Sequence, residues 1–100
     1  MPALSIRLLG LVALLLFLPR MALAADPRAA LLATSCAACH GPDGQSPGAI
    51  PPLHGRSADF ITQRMKEFKA DQRPSTVMNR LAKGYSDEEI ALIASQFGAK

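Results

Sequence analysis

The chain reads as all-α. Three observations lead there: apolar residues recur at three- and four-residue intervals after residue 57, Asp and Ser stand where helices would begin, and no segment sustains the every-second-residue alternation of a strand. About four helices account for the 100 residues once the first two dozen are set aside.

Asp26-Pro27 has the form of an N-cap followed by proline at the first helical position. The helix it opens runs through Leu31 and Leu32 towards Cys36. Gly41 to Pro52 then carries Gly41-Pro42, Gly44, Pro47-Gly48 and Pro51-Pro52, a density of breakers that predicts a loop. Ile50 and Leu53 are its apolar anchors. Ser57 caps a second helix reaching about Ala70, with Ile61, Met65 and Phe68 on one stripe and Phe60 broadening it. Gln63, Arg64, Lys66, Glu67 and Lys69 form its polar side. Asp71 to Pro74 breaks this helix, and a short helical turn over Ser75 to Lys83 stops at Gly84. Ser86-Asp87-Glu88-Glu89 is a capping box for a last helix that buries Ile90, Ile93 and Phe97.

The first residues read differently. Arg7 precedes an apolar run from Leu8 to Leu18, and Ala22-Leu23-Ala24 matches a small-x-small cleavage site. Residues 1–24 are expected to be a secretory signal peptide, cut after Ala24 or one residue later, leaving residues 25–100 as one domain. The competing reading is an uncleaved anchor. The run is short for a bilayer span and Pro19-Arg20 interrupts it, so no stable membrane span is expected after cleavage. The formal charge of +3 loses Arg7 and Arg20 and becomes +1. No run of Lys and Arg interleaved with aromatics appears, so nucleic acid is not an expected partner.

Cys36-Ala37-Ala38-Cys39-His40 carries the chemistry. Two thiols three positions apart, followed at once by an imidazole, form the attachment sequence for c-type haem. Each thiol can add across one vinyl group, and the adjacent imidazole can bind iron. Three other readings compete. A zinc site needs further Cys or His ligands, and the chain has two Cys and, besides His40, only His54. A thioredoxin-like dithiol needs a strand before the motif, whereas Asp26 to Ser35 is Ala/Leu-rich. A structural disulfide leaves His40 unexplained. Haem attachment through Cys36 and Cys39, with His40 on the iron, is the favoured reading. One motif predicts one haem. A haem would also supply apolar bulk to a chain whose aromatics beyond the leader are Phe60, Phe68, Tyr85 and Phe97.

The second iron ligand decides between electron transfer and chemistry at an open iron. Met65, Met78 and His54 are the candidates after residue 24. Met65 falls on the apolar stripe and reads as core. His54 sits in the loop and reads as a surface or propionate-side residue. Met78, between the Pro74 break and Gly84, is the favoured ligand, although it could simply pack against Val77 and Leu81.

With these pieces in place, the chain resembles class I c-type cytochromes, and within them the monohaem cytochrome subunits of flavocytochrome c sulfide dehydrogenases. The resemblance rests on Cys36 to Gly41, Asp43 to Leu53, Phe68-Lys69-Ala70, Arg73-Pro74-Ser75-Thr76-Val77-Met78 and Ala82 to Ile90. It implies the small class I cytochrome c fold around one covalent haem, and a distal methionine at Met78. It also implies periplasmic one-electron transfer and a flavoprotein (FAD) dehydrogenase partner with a downstream acceptor. The chain itself would have no catalytic site, although it could be a subunit of a sulfide dehydrogenase. His54 departs from the small residues common at that place. Two alternatives are a free cytochrome shuttling electrons between dehydrogenases and a terminal oxidase, and a haem enzyme or gas sensor with an open iron site. A carbonyl from Pro52 or a neighbour is expected to orient His40.

Overall fold

The computed structural model describes residues 26–99. The expected leader and its cleavage site lie outside the described residues. Four α-helices follow in order: α1 (Pro27–His40), α2 (Ala58–Lys69), α3 (Met78–Ala82) and α4 (Asp87–Phe97). A 3-10 turn, Pro42–Gly44, follows α1. The single β-type pairing among the described residues is an isolated bridge between Ser57 and Ala99. No helix there is long and apolar enough to cross a membrane.

The helix starts follow the sequence signals. The Asp26 carboxylate accepts the Arg28 amide at 2.9 Å, and Pro27 occupies the first turn. The Ser57 hydroxyl accepts the Phe60 amide at 3.1 Å. At α4 both halves of the capping box are made: the Glu89 amide donates to Ser86 Oγ at 3.1 Å, and the Ser86 amide donates to Glu89 Oε1 at 2.9 Å.

Three boundaries or faces differ from expectation. α1 continues past Cys36 through His40, so the whole Cys-Ala-Ala-Cys-His segment is helical. It ends at Gly41, whose φ of 86° suits glycine, and a Cβ there would collide with the Gln45 carbonyl. α3 is shorter than the Ser75–Lys83 expected, and Lys83, not Gly84, caps it. Phe60 leaves the core stripe: it is 38% exposed, with the Arg56 and Arg64 guanidiniums 5.0 and 4.8 Å from its ring centroid. Stacking cations on the ring face stabilises it outside the core.

α1 packs on α4, and α2 packs on both α3 and α4. Ile61, Met65, Ile90, Ile93 and Phe97 meet in the core with Ala33, Ala82 and Ala94. Leu32, Cys36, Leu53, Phe68, Met78 and Tyr85 close over them, half-buried. Among the described residues, four of the nine buried apolar side chains are alanines (Ala29, Ala33, Ala82, Ala94), so this core is thin for its size. Ion pairs tie α4 to its neighbours: Arg28 to Glu88 at 2.8 Å and Lys69 to Asp87 at 3.3 Å.

Candidate functional site

The Cys/His cluster is built by the end of α1 and the loop after it. Cys36 and Cys39 lie one helical turn apart in the last turns of α1, and both thiols are free. Three-residue spacing on a helix puts both on one side. Cys36 is half-buried against the core and Cys39 is exposed. Burial pushes the Cys36 thiol up from its ordinary value. Cys36 also sits towards the carbonyl end of the helix dipole, which disfavours a thiolate there. Reactive dithiols use the opposite end, where the dipole lowers the thiol pKa. The local electrostatics therefore disfavour a thiol–disulfide exchange site.

His40 is half-buried, and its Nδ1 lies 2.6 Å from the carbonyl oxygen of Pro51. The expected orienting carbonyl is thus supplied by Pro51, the neighbour of Pro52. Loop closure explains why. Gly44 O accepts the amides of Leu53 at 2.9 Å and His54 at 3.1 Å, which folds residues 45–52 back beside the end of α1. Gly44 has a φ of 74°, and a Cβ on it would come within 2.9 Å of Leu53 Cβ. With Nδ1–H donated to a carbonyl, the tautomer is set and Nε2 presents its lone pair.

Ser35, next to Cys36, is fixed as well. Its hydroxyl donates to Leu32 O at 3.1 Å, so the Tyr85 hydroxyl 2.9 Å away is the donor to Ser35 Oγ. This ties the helical turn carrying Cys36 to the segment before α4.

The three candidate iron ligands separate cleanly by environment. Met65 is buried, 7% exposed, among core side chains. His54 is exposed in the turn after the loop. Met78 is half-buried at the first position of α3, one edge on the core. Around it in sequence, Val77 and Leu81 are 54% and 53% exposed, and Ile50 in the loop is 42% exposed. A haem fits this donor set: two free thiols one turn apart, an imidazole with a preset lone pair, and large apolar side chains without protein cover. A groove formed elsewhere belongs to other residues. It is open, runs along α2 and the turn after it from Asp59 to Gln72, and shares no residue with this cluster.

Comparison with known proteins agrees with the fold. The cytochrome c family pattern matches residues 26–95, and the chain belongs to the cytochrome c family. Such chains carry a covalently bound c-type haem, and this protein transfers electrons through it. The chain is 49% identical over 73 residues to the cytochrome subunit of sulfide dehydrogenase from Chlorobaculum tepidum, covering 73% of this chain and 66% of that protein. It is 39% identical over 70 residues to cytochrome c-554(548) of Halomonas halodenitrificans, covering 66% of this chain and 84% of that protein. The thiosulfate dehydrogenase electron acceptor of Stutzerimonas stutzeri is 32% identical over 69 residues, covering 68% of this chain and 32% of that protein. The monohaem class I resemblance read from the sequence thus agrees with both the family and its sulfide dehydrogenase relative. Sequence reading placed the orienting carbonyl at Pro52 or a neighbour, and the loop path selects Pro51.

Proposed function

We propose that Cys36 and Cys39 form the two thioethers, that His40 Nε2 and the Met78 thioether are the axial iron ligands, and that the protein passes single electrons from a periplasmic dehydrogenase to a downstream acceptor. The observation that carries the reading is the 2.6 Å contact between His40 Nδ1 and Pro51 O beside two free thiols one turn apart. The haem supplies the Fe(III)/Fe(II) couple. His40, held by Pro51, keeps one orientation in both oxidation states. Met78 is a weak donor that favours the reduced state and raises the potential. Leu53, Phe68 and Tyr85, half-buried in the same layer as Cys36 and Met78, would act in the same direction by keeping water from the haem.

The proposed partner is the flavoprotein (FAD) subunit of a sulfide dehydrogenase. The 49% identity to a sulfide dehydrogenase cytochrome subunit supports it, as does a relative named as the electron acceptor of another dehydrogenase. Substrate would then be oxidised on the partner, and this chain would contribute no catalytic group. The leader-like residues 1–24 support export to the periplasm. A free carrier is the second reading, favoured by the 84% coverage of cytochrome c-554(548).

Affinity purification of the tagged protein from its native source separates the two. A flavin shoulder beneath the haem spectrum, with a larger second band on the gel, is expected. The haem spectrum alone, without partner, would favour the free carrier.

A further inference from the structure

The segment between α2 and α3 carries Met78 into place; exposed Asp71 accepts Asn79 Nδ2 at 3.4 Å and Lys83 Nζ at 2.6 Å, while the segment's less exposed ties converge on Glu67. Glu67 lies on the last turns of α2 and is only 20% exposed at its side chain. Its Oε2 accepts Arg64 Nη1 at 2.8 Å and Arg73 Nε at 2.8 Å, and its Oε1 accepts Gln63 Nε2 at 3.2 Å. Its backbone carbonyl takes the Gln72 amide at 2.9 Å. Glu67 therefore grips residues 72 and 73 by both side chain and main chain. Pro74 follows, fixing its own φ and confining Arg73 to extended backbone. Further along, Ser75 Oγ accepts the Asn79 amide at 3.0 Å and donates to Asn79 Oδ1 at 3.1 Å. Only Pro74 separates these two anchors, and Thr76, Val77 and Met78 are enclosed by the second.

We infer that Glu67 is the positioning residue for Met78: by pinning Arg73 it holds the connector so that the Met78 thioether stays at the iron. This rests on Met78 being the axial ligand. Partly buried charge-assisted hydrogen bonds on one carboxylate are worth more than the exposed pairs nearby, such as Lys83 with Asp71, whose side chains are 48% and 59% exposed. Releasing Arg73 would increase the fraction of molecules in which the connector lifts and Met78 leaves.

The test is a titration of the ferric, haem-loaded protein with imidazole, followed by the weak near-infrared iron–sulfur band. Imidazole reaches the distal side only when Met78 has left, so its apparent affinity scales with the open fraction. Glu67→Gln and Arg73→Gln are each expected to tighten imidazole binding by about tenfold, and the double variant by about as much as either alone. Lys69→Gln breaks the α2 pair with Asp87 and spares the connector; it is expected to stay within about twofold of wild type. Arg73→Gln leaves Glu67 paired with Arg64, so it remains informative if Glu67→Gln does not fold. Wild-type imidazole affinity in Arg73→Gln would overturn the positioning role. So would equal tightening in Lys69→Gln, which would mean general loosening. Met78→Ala tests the underlying ligand assignment: an intact band and unchanged imidazole binding would mean that Met78 is not the ligand at all.

Discussion

His40 and Pro51 are joined by a 2.6 Å contact between the ring Nδ1 and the carbonyl oxygen, across eleven residues of sequence. The contact exists because the loop closes on Gly44 O, not because proline has a donor or acceptor side chain. Replacing Pro51 with glycine keeps the carbonyl and frees the backbone that aims it. Pro51→Gly is expected to speed solvent exchange of the His40 Nδ1 proton several-fold, with the haem still attached. Proton NMR of the reduced protein measures it, and an unchanged exchange rate would mean that the loop is held independently of Pro51.

Met78 and Met65 give opposite expectations. Met78→Ala should abolish the near-infrared iron–sulfur band, lower the reduction potential, and allow the reduced protein to bind carbon monoxide. Met65→Ala should keep the band and the potential but cost about 2–5 kcal/mol of stability, as for other buried methionines. A band that survives in Met78→Ala and vanishes in Met65→Ala would reverse the assignment. Rapid carbon monoxide binding by the wild-type reduced protein would favour an open iron site and a sensor or enzyme.

Covalent attachment is tested at the two thiols. Cys36→Ala combined with Cys39→Ala should leave no haem on the polypeptide after denaturing electrophoresis, as read by peroxidase staining of the gel. Either single variant should retain one thioether and still stain. Staining of the double variant would show that attachment occurs elsewhere.

Acid sensitivity follows from the caps. The Ser86 amide holds the Glu89 carboxyl below its ordinary range, and the Arg28 amide does the same for Asp26. A carboxyl depressed in the folded state stabilises the fold above its unfolded pKa, and that contribution is lost as pH falls through the lower, folded value. Thermal stability of the haem-loaded protein should therefore drop on moving from neutral pH to below about pH 4. In Glu89→Gln the drop should be shallower, starting from a lower midpoint at neutral pH. Parallel curves for the two proteins would mean that the cap does not contribute.

Most of this architecture was legible from side-chain identity alone. Asp26, Ser57 and the Ser86–Glu89 pair announced three helix starts, and Ile61, Met65, Ile90, Ile93 and Phe97 announced the buried faces. Phe60 was misplaced because it borders the stripe, where periodicity does not distinguish in from out. Arg56 and Arg64, four residues to either side, were the available signal for the exposed face. The first helix was followed only towards Cys36, whereas it runs on to His40 and stops at Gly41. The choice of Pro51 over Pro52, and the role of Glu67, stayed hidden for another reason. Each acts through a contact fixed by loop path, and no spacing rule reports where a carbonyl or a carboxylate will arrive.

The thin core has a consequence for how the molecule comes into being. Alanines fill much of the space where larger side chains would otherwise drive collapse, while Ile50, Val77 and Leu81 face outward with nothing over them. A chain so constituted gains its last stabilising surface only from the porphyrin. Haem attachment is therefore expected to raise the stability of the fold.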